Sequence, residues 1–91
     1  MAQVKFTRHL FRYFPDLQNN IEIEGNTVAD IITNLDNQHP GLAAYVVDER
    51  GVLRKHVNIF LGDNLIHDRQ TLSDPVQEND QIYIFQALSG G

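Results

Sequence analysis

The stretch Thr27-Val-Ala-Asp-Ile-Ile-Thr-Asn-Leu35 predicts the one main helix of the fold. Its apolar residues recur at i, i+3, i+4 and i+7 and form a single face: Val28, Ile31, Ile32 and Leu35. Thr27 and Asp30 have the spacing of a capping box, with Asp in place of the usual Glu or Gln, so the helix should begin there. Pro40 disfavours helical geometry in the residue before it, which predicts that the helix ends near Gln38.

Strand patterns lie on both sides of this helix. Apolar and polar residues alternate in four segments, at 3–7, 21–24, 57–61 and 81–87. The first two segments are close enough to form a hairpin, although their connection is longer than a tight turn. A hairpin, a helix and later strands fit a mixed sheet of four to five strands packed on one helix, with the first and last strands parallel neighbours. This is the β-grasp arrangement, one α+β solution among several.

The segments between these elements are less regular. The run 10–14 mixes apolar and polar residues and ends at the turn signal Pro15-Asp16. The run from Gly41 to Tyr45 is ambiguous and fits a helical turn. Leu65, Ile66 and Leu72 are expected to pack as a short irregular segment.

Composition limits the possible functions. The 91 residues fit one domain, with enough apolar material for one core but little volume for an enclosed substrate cavity. The formal net charge of −5 disfavours nucleic-acid binding and favours a partner with a basic or mixed surface. The sequence has no cysteine, which excludes a disulfide scaffold, an iron–sulfur cluster and a thiol nucleophile. It has no apolar stretch typical of a signal peptide or a membrane span, so we expect a cytoplasmic protein.

The last predicted strand is followed by Leu88-Ser-Gly-Gly91. This divides the sequence into a folded unit, residues 1–87, and a flexible tail, residues 88–91. Because the two glycines have no Cβ, the tail is thin enough for a narrow enzyme channel, and its carboxylate is sterically open to reaction. A frayed end is the alternative interpretation of such a terminus. The position directly after a sheet strand favours a functional tail.

Several motifs resemble those of one protein family. They are Val57-Asn-Ile-Phe-Leu-Gly-Asp63, Leu72-Ser-Asp-Pro-Val76, Asn79-Asp-Gln-Ile-Tyr-Ile-Phe85 and the terminal Gly90-Gly91. Together they are similar to the ThiS/MoaD family of ubiquitin-like sulfur carriers, above all to its MoaD branch and the CysO type. The likeness covers essentially the whole chain and is weakest between Leu10 and Asn20. The chain departs from the family in having Ser89 where a small residue, commonly Ala, often stands.

The resemblance implies a carrier rather than an enzyme. In this family an activating enzyme of the MoeB/ThiF type uses ATP and Mg²⁺ to adenylate the terminal carboxylate, which then becomes a thiocarboxylate. Here that group would be the carboxylate of Gly91, preceded by Gly90, and the chain itself would bind no cofactor. The sulfur would pass to a synthase that makes a product of the cysteine or molybdopterin type. The alternatives are a ubiquitin-like modifier joined through Gly91 to target lysines, and a binding domain without C-terminal chemistry.

A partner-binding surface is predicted on the sheet. Alternation assigns Ile59, Ile82 and Ile84 to the core, so the aromatic residues between them should point to the opposite face: Phe60, Tyr83 and Phe85. Aromatic side chains grouped on an exposed face are typical of an interface. In the alternative interpretation they pack under residues 45–53. Phe85 also matches a hydrophobic contact position of the MoaD family, and Leu88 and Ser89 complete the predicted partner-binding set.

No metal or acid–base site is predicted. The four histidines are dispersed and none forms a pair at ligand spacing: His9, His39, His56 and His67. No recognisable motif brings two carboxylates together for acid–base work. Arg50, Arg54, Lys55 and His56 form a small basic cluster near the middle turn, which we interpret as a solvated surface that could also pair with an acidic partner.

Overall fold

The computed structural model describes residues 1–7 and 9–86. Within these ranges the chain forms, in order, β1 (Ala2–Phe6), α1 (His9–Tyr13), β2 (Asn20–Ile23), α2 (Val28–Gln38), α3 (Leu42–Val46), β3 (Val57–Leu61), β4 (Asn64–Leu65) and β5 (Gln81–Gln86).

The strands form one mixed sheet in the order β2-β1-β5-β3-β4. β1 pairs antiparallel with β2 and parallel with β5, which places Val4 beside Ile82. β3 pairs antiparallel with β5 and places Ile59 beside Ile84. The first and last strands are therefore parallel neighbours, as predicted, and β5 is hydrogen-bonded on both of its sides.

The core lies between α2 and one face of the sheet. All four residues of the predicted apolar helical face are buried: Val28, Ile31, Ile32 and Leu35. They belong to one cluster with the inward-facing strand residues, which include Val4, Ile23, Ile59, Ile82 and Ile84. Complete burial of such a side chain stabilises the fold by ~1.5–3 kcal/mol, so this interface contributes a large part of the stability.

The ends of α2 follow from local sequence. The Thr27 hydroxyl accepts a hydrogen bond from the backbone N–H of Asp30 at 3.2 Å. The Asp30 carboxylate in turn accepts from the backbone N–H of Asn26 at 3.1 Å, one residue earlier than in the usual reciprocal cap. The helix ends at Gln38, as predicted. Gly41 then adopts a left-handed φ of 96°, which glycine reaches without a Cβ clash, and leads into α3.

The less regular segments differ in part from expectation. The mixed run at 10–14 overlaps α1, which begins one residue earlier, and the ambiguous run after Gly41 lies in the short helix α3. Ile66 and Leu72 are buried as expected. The expectation that Leu65 also packs is wrong, because Leu65 lies in the edge strand β4 and is 50% exposed.

Two carboxylates organise the segment between β4 and β5. Asp74 is buried and accepts hydrogen bonds from the backbone N–H groups of His67 and Asp68, both at 2.8 Å. Asp68 accepts from the hydroxyl and backbone N–H groups of both Thr71 and Ser73. The hydrogen bonds from the Ser73 and Thr71 hydroxyls hold the pKa of Asp68 below its ordinary value, because they stabilise the charged form.

Candidate functional site

The sheet face turned away from the core carries the side chains of Phe60, Tyr83 and Phe85, which we call the aromatic face. Tyr83 lies opposite Phe60 in the ladder between β3 and β5. The ring centroid of Phe85 is 5.6 Å from that of Phe60, edge to face, and 6.1 Å from that of Tyr83, stacked. These distances are typical of favourable aromatic pairs. The structure thus brings the three residues together, and their role in partner binding stays a prediction.

Phe85 is the most open ring of the aromatic face. It is 42% exposed, whereas Phe60 and Tyr83 are half-buried. Tyr45 belongs to the segment that the alternative interpretation placed over these rings. It instead stacks on Tyr13, with ring centroids 4.8 Å apart. Phe85 is therefore available for contact with another protein.

Two further side chains extend the aromatic face across the sheet. Lys5 is the register partner of Tyr83 in β1, and its Nζ lies 5.4 Å from the centre of the Tyr83 ring, within the range of a cation–π interaction. Leu65 is the register partner of Phe60 in β4 and so lies on the same side. The sequence prediction missed both residues. Alternation within a strand gives a residue's face but not its neighbours, which depend on the register between strands.

Local contacts fix the shape of this surface. The Tyr83 hydroxyl donates a hydrogen bond to Oε1 of Gln81 at 2.6 Å, which restrains the ring along its own strand. The three rings, with Gly62 and Asp63, line a shallow depression. Gly62 has a left-handed φ of 60°, which lets the chain turn within two residues from β3 into β4. The aromatic face is thus a preformed and only slightly concave surface.

The chain leaves the sheet from its central strand. β1 and β5 end, and β2 and β3 begin, at one end of the sheet, which we call the exit end. Gln86, the last residue of β5, pairs with Val57. Residues 87–91 lie outside the described part of the chain, and with them the predicted site residues Leu88, Ser89, Gly90 and Gly91. Five residues span at most ~18 Å when extended, which limits how far Gly91 can lie from Gln86.

Two kinds of feature are absent from the part of the chain that the structure describes. Within 1–7 and 9–86, no three His, Asp or Glu side chains come close enough to hold a metal ion. In the same ranges, no helix is both long enough and apolar enough to cross a membrane.

Solved structures share this architecture. The structure of the Amycolatopsis orientalis BexX/CysO complex aligns with a TM-score of 0.86 and 25% identity, over 100% of both chains. Mycobacterium tuberculosis CysO aligns with a TM-score of 0.85 and 21% identity, over 97% of this chain and 100% of that chain. Haloferax volcanii SAMP1 aligns with a TM-score of 0.76 and 22% identity, over 99% and 98% of the two chains. The protein therefore has the ubiquitin-like β-grasp fold, as predicted.

The sequence comparisons give the family. The model of the ThiS family matches residues 4–91, and the chain belongs to this family. The sulfur carrier protein CysO of M. tuberculosis is 25% identical over 76 residues, which cover 81% of this chain and 82% of that protein. CysO of Mycobacterium bovis matches to the same extent. The chain is thus a member of a family of ubiquitin-like sulfur carriers, which are not catalysts themselves.

Proposed function

We propose that this protein carries sulfur as a thiocarboxylate on Gly91 and that a separate enzyme charges it. The observation that carries the proposal is the extent of the family match, which runs from residue 4 to residue 91 and so includes Gly90-Gly91. The residue content agrees with it. Since the chain has no cysteine, it cannot hold sulfur on a side-chain thiol, whereas a terminal carboxylate can be converted to a sulfur-bearing group.

Charging takes two steps. A carboxylate oxygen of Gly91 first attacks the α-phosphorus of ATP, and pyrophosphate leaves as the acyl adenylate forms. The sulfur of a sulfide-level donor then attacks the acyl carbon, AMP leaves, and the thiocarboxylate remains. The charging enzyme supplies ATP, Mg²⁺ and the groups that stabilise the developing charge. The carrier supplies only the acid group and the surface that positions it. We place this chemistry in the cytoplasm, because it consumes ATP.

We assign the aromatic face to binding of the charging enzyme, of the MoeB/ThiF type. Aromatic residues are enriched among the few side chains that carry most of the energy of an interface. Phe85 precedes the last described residue of β5, so a protein that covers this ring also lies close to the start of the tail. Leu88 and Ser89 would extend the contact along the tail. A sulfur-accepting synthase, for a product of the cysteine or molybdopterin type, would then bind the same tail.

Intact-mass spectrometry tests the proposal. The protein is incubated with an adenylating enzyme of this type, ATP, Mg²⁺ and sulfide, and we expect a mass gain that corresponds to exchange of one oxygen for one sulfur. Deletion of Gly90-Gly91 should abolish the gain, whereas the control Thr33→Ala, an exposed position on α2 outside the predicted contact set, should retain it. An unchanged mass for the intact chain, or a mature protein that extends beyond Gly91, would contradict the proposal.

The same measurement separates the modifier alternative. Conjugation to target lysines would give adducts of high mass joined to Gly91 by an isopeptide bond, without a stable sulfur-bearing carrier. A structure of the small archaeal modifier protein SAMP1 from Methanosarcina acetivorans aligns with a TM-score of 0.80 at 22% identity, which is a likeness of fold. The sulfur carrier is therefore the function we prefer.

A further inference from the structure

Charge is distributed unevenly between the two ends of the sheet. Four basic side chains lie on segments that meet at or beside the exit end, and we call them the basic surface: Arg12, Arg54, Lys55 and Arg69. Four carboxylates lie on segments at the opposite end, where β2 and β3 end and β5 begins: Glu24, Asp63, Glu78 and Asp80. Asp16 and Asp68 also lie near the exit end, and the N-terminal ammonium pairs with Glu78 at the opposite end, but the described residues are still more positive where the tail leaves. This local sign is opposite to the net charge of −5.

Hydrogen bonds to the backbone hold the basic surface in place. Arg69 donates to the carbonyl oxygens of Arg54 at 2.8 Å and Val57 at 2.9 Å, and to Oδ1 of Asn58 at 3.2 Å. Arg54 donates from Nε to the carbonyl oxygen of Ala44 at 2.9 Å. These acceptors are neutral oxygen atoms, so the bonds fix the positions of both guanidinium groups without pairing them with a carboxylate.

Two carboxylates near the basic surface offset part of its charge, but neither forms an ion pair with it among the described residues. The ion pairs found among the described residues join the N-terminal ammonium to Glu78 and Arg50 to Asp48, and neither involves the basic surface. Asp68 precedes Arg69 and keeps its negative charge, but its carboxylate accepts from hydroxyl and backbone donors, whereas the Arg69 guanidinium donates to carbonyl and amide oxygens. Asp16, in the loop between α1 and β2, is exposed near the same end. Arg12 and Lys55 are both exposed, so their charges face solvent.

The basic surface is continuous with the aromatic face. Asn58, which accepts the hydrogen bond from Arg69, is the register partner of Phe85. Within the basic surface, Arg12 and Arg54 are linked through α3. Tyr13, next to Arg12, stacks on Tyr45, and Ala44, next to Tyr45, accepts the hydrogen bond from Arg54. A protein that covers Phe85 would therefore also approach the cationic groups.

We propose that the basic surface docks against a carboxylate-rich surface of the protein that receives the tail. The inference rests on the proposed function, since it concerns the adenylating enzyme that charges Gly91. An acidic partner repels the far end of this molecule and attracts the exit end, so the electric field turns the tail toward the partner before contact. A nucleic acid carries phosphates along its whole length and would also face the acidic far end, whereas a protein can present carboxylates to the exit end alone.

Association kinetics test the proposal with two variants of equal net charge. Lys55→Gln removes one positive charge and Gln77→Glu adds one negative charge, so each changes the net charge from −5 to −6. Gln77 is an exposed residue near the opposite end. The partner is the adenylating enzyme that charges the wild-type chain in the mass assay. At low salt we expect Lys55→Gln to slow association about two- to five-fold and Arg12→Gln/Lys55→Gln to slow it further. Gln77→Glu should not slow it, and 0.5 M salt should remove the difference.

Equal rates for Lys55→Gln and Gln77→Glu at low salt would overturn the proposal while leaving the sulfur-carrier function intact. If no adenylating enzyme charges the wild-type chain, the proposed function fails, and a second measurement still decides the charge inference. In an NMR titration with a ten-residue polyglutamate peptide, the backbone amide signals of residues 54–58 and 69 should shift. The same signals should shift less in Lys55→Gln. No shift there, or a stronger response to an oligonucleotide of equal charge, would refute an acidic protein partner.

Discussion

Phe85→Ala separates a role in binding from a role in folding. Phe85 is 42% exposed, so a little over half of its surface is covered. Complete burial of a phenylalanine is worth ~1.5–3 kcal/mol, which gives ~1–2 kcal/mol for this partial burial. Loss of the contacts with the Phe60 and Tyr83 rings adds ~0.5–1 kcal/mol. The expected loss of ~2 kcal/mol leaves the variant folded, because a domain of this length has ~5–14 kcal/mol.

If the aromatic face contacts the charging enzyme, Phe85→Ala should lower the affinity for that enzyme by at least as much free energy as it lowers the stability of the fold. Aromatic residues at the centre of an interface cost at least ~2 kcal/mol on truncation to alanine, which corresponds to about a 30-fold rise in Kd. The matched control is Ile82→Val/Ile84→Val, on the opposite face of the same strand. Each isoleucine is at most 1% exposed. Removal of one methyl group from each should cost ~1–3 kcal/mol of stability, similar to Phe85→Ala.

Urea unfolding and titration calorimetry against the adenylating enzyme give the two quantities for each variant. We expect both variants to lose similar stability, and only Phe85→Ala to lose affinity. If Phe85→Ala bound as tightly as the valine control while losing the same stability, the aromatic face would be a structural feature, and its assignment to partner binding would be wrong.

Three further outcomes follow from local contacts. Thr27→Ala should lower the free energy of unfolding in urea by ~1 kcal/mol through loss of the N-cap, whereas Thr33→Ala, exposed in the same helix, should not lower it. As pH falls below about 3.9, the free energy of unfolding should decrease more for the wild-type protein than for the Asp68→Asn variant. The pKa of Asp68 is lowered on folding, so its contribution is complete above that pH and is lost as pH falls further. In thermal unfolding, Gly25→Ala should cost ~1–3 kcal/mol, since the added Cβ would lie 2.9 Å from Cδ1 and 3.1 Å from the backbone N of Ile31.

The elements predicted correctly are those with several periods of a strong pattern. The helix α2 shows two turns of apolar periodicity with a cap, and β5 alternates over six residues. The helices α1 and α3 have five residues each and β4 has two, which is too short for a period to be read. Their conformation depends on contacts made elsewhere in the fold. Leu65 was misplaced for this reason.

Only part of the candidate site could be predicted from the sequence. The orientation of Phe60, Tyr83 and Phe85 follows from alternation within single strands. The neighbours of these rings do not, because Lys5 lies in the first strand and meets Tyr83 only through the parallel pairing of β1 with β5. The basic surface likewise required the topology, which brings Arg12 and Arg69 to the end of the sheet where Arg54 and Lys55 lie.

The strand β5 contributes to the core, to the aromatic face and to the start of the tail. Its inward residues Ile82 and Ile84 fill the core, and its outward residues Tyr83 and Phe85 form most of the aromatic face. Because side chains alternate with a period of two, a slip of one residue would exchange the two sets and would also move the start of the tail. Pairing with a strand on each side prevents that slip. The same strand therefore fixes the core, the predicted docking surface and the point from which Gly91 must reach an active site. A one-residue slip of the two-residue edge strand β4 would not move the start of the tail.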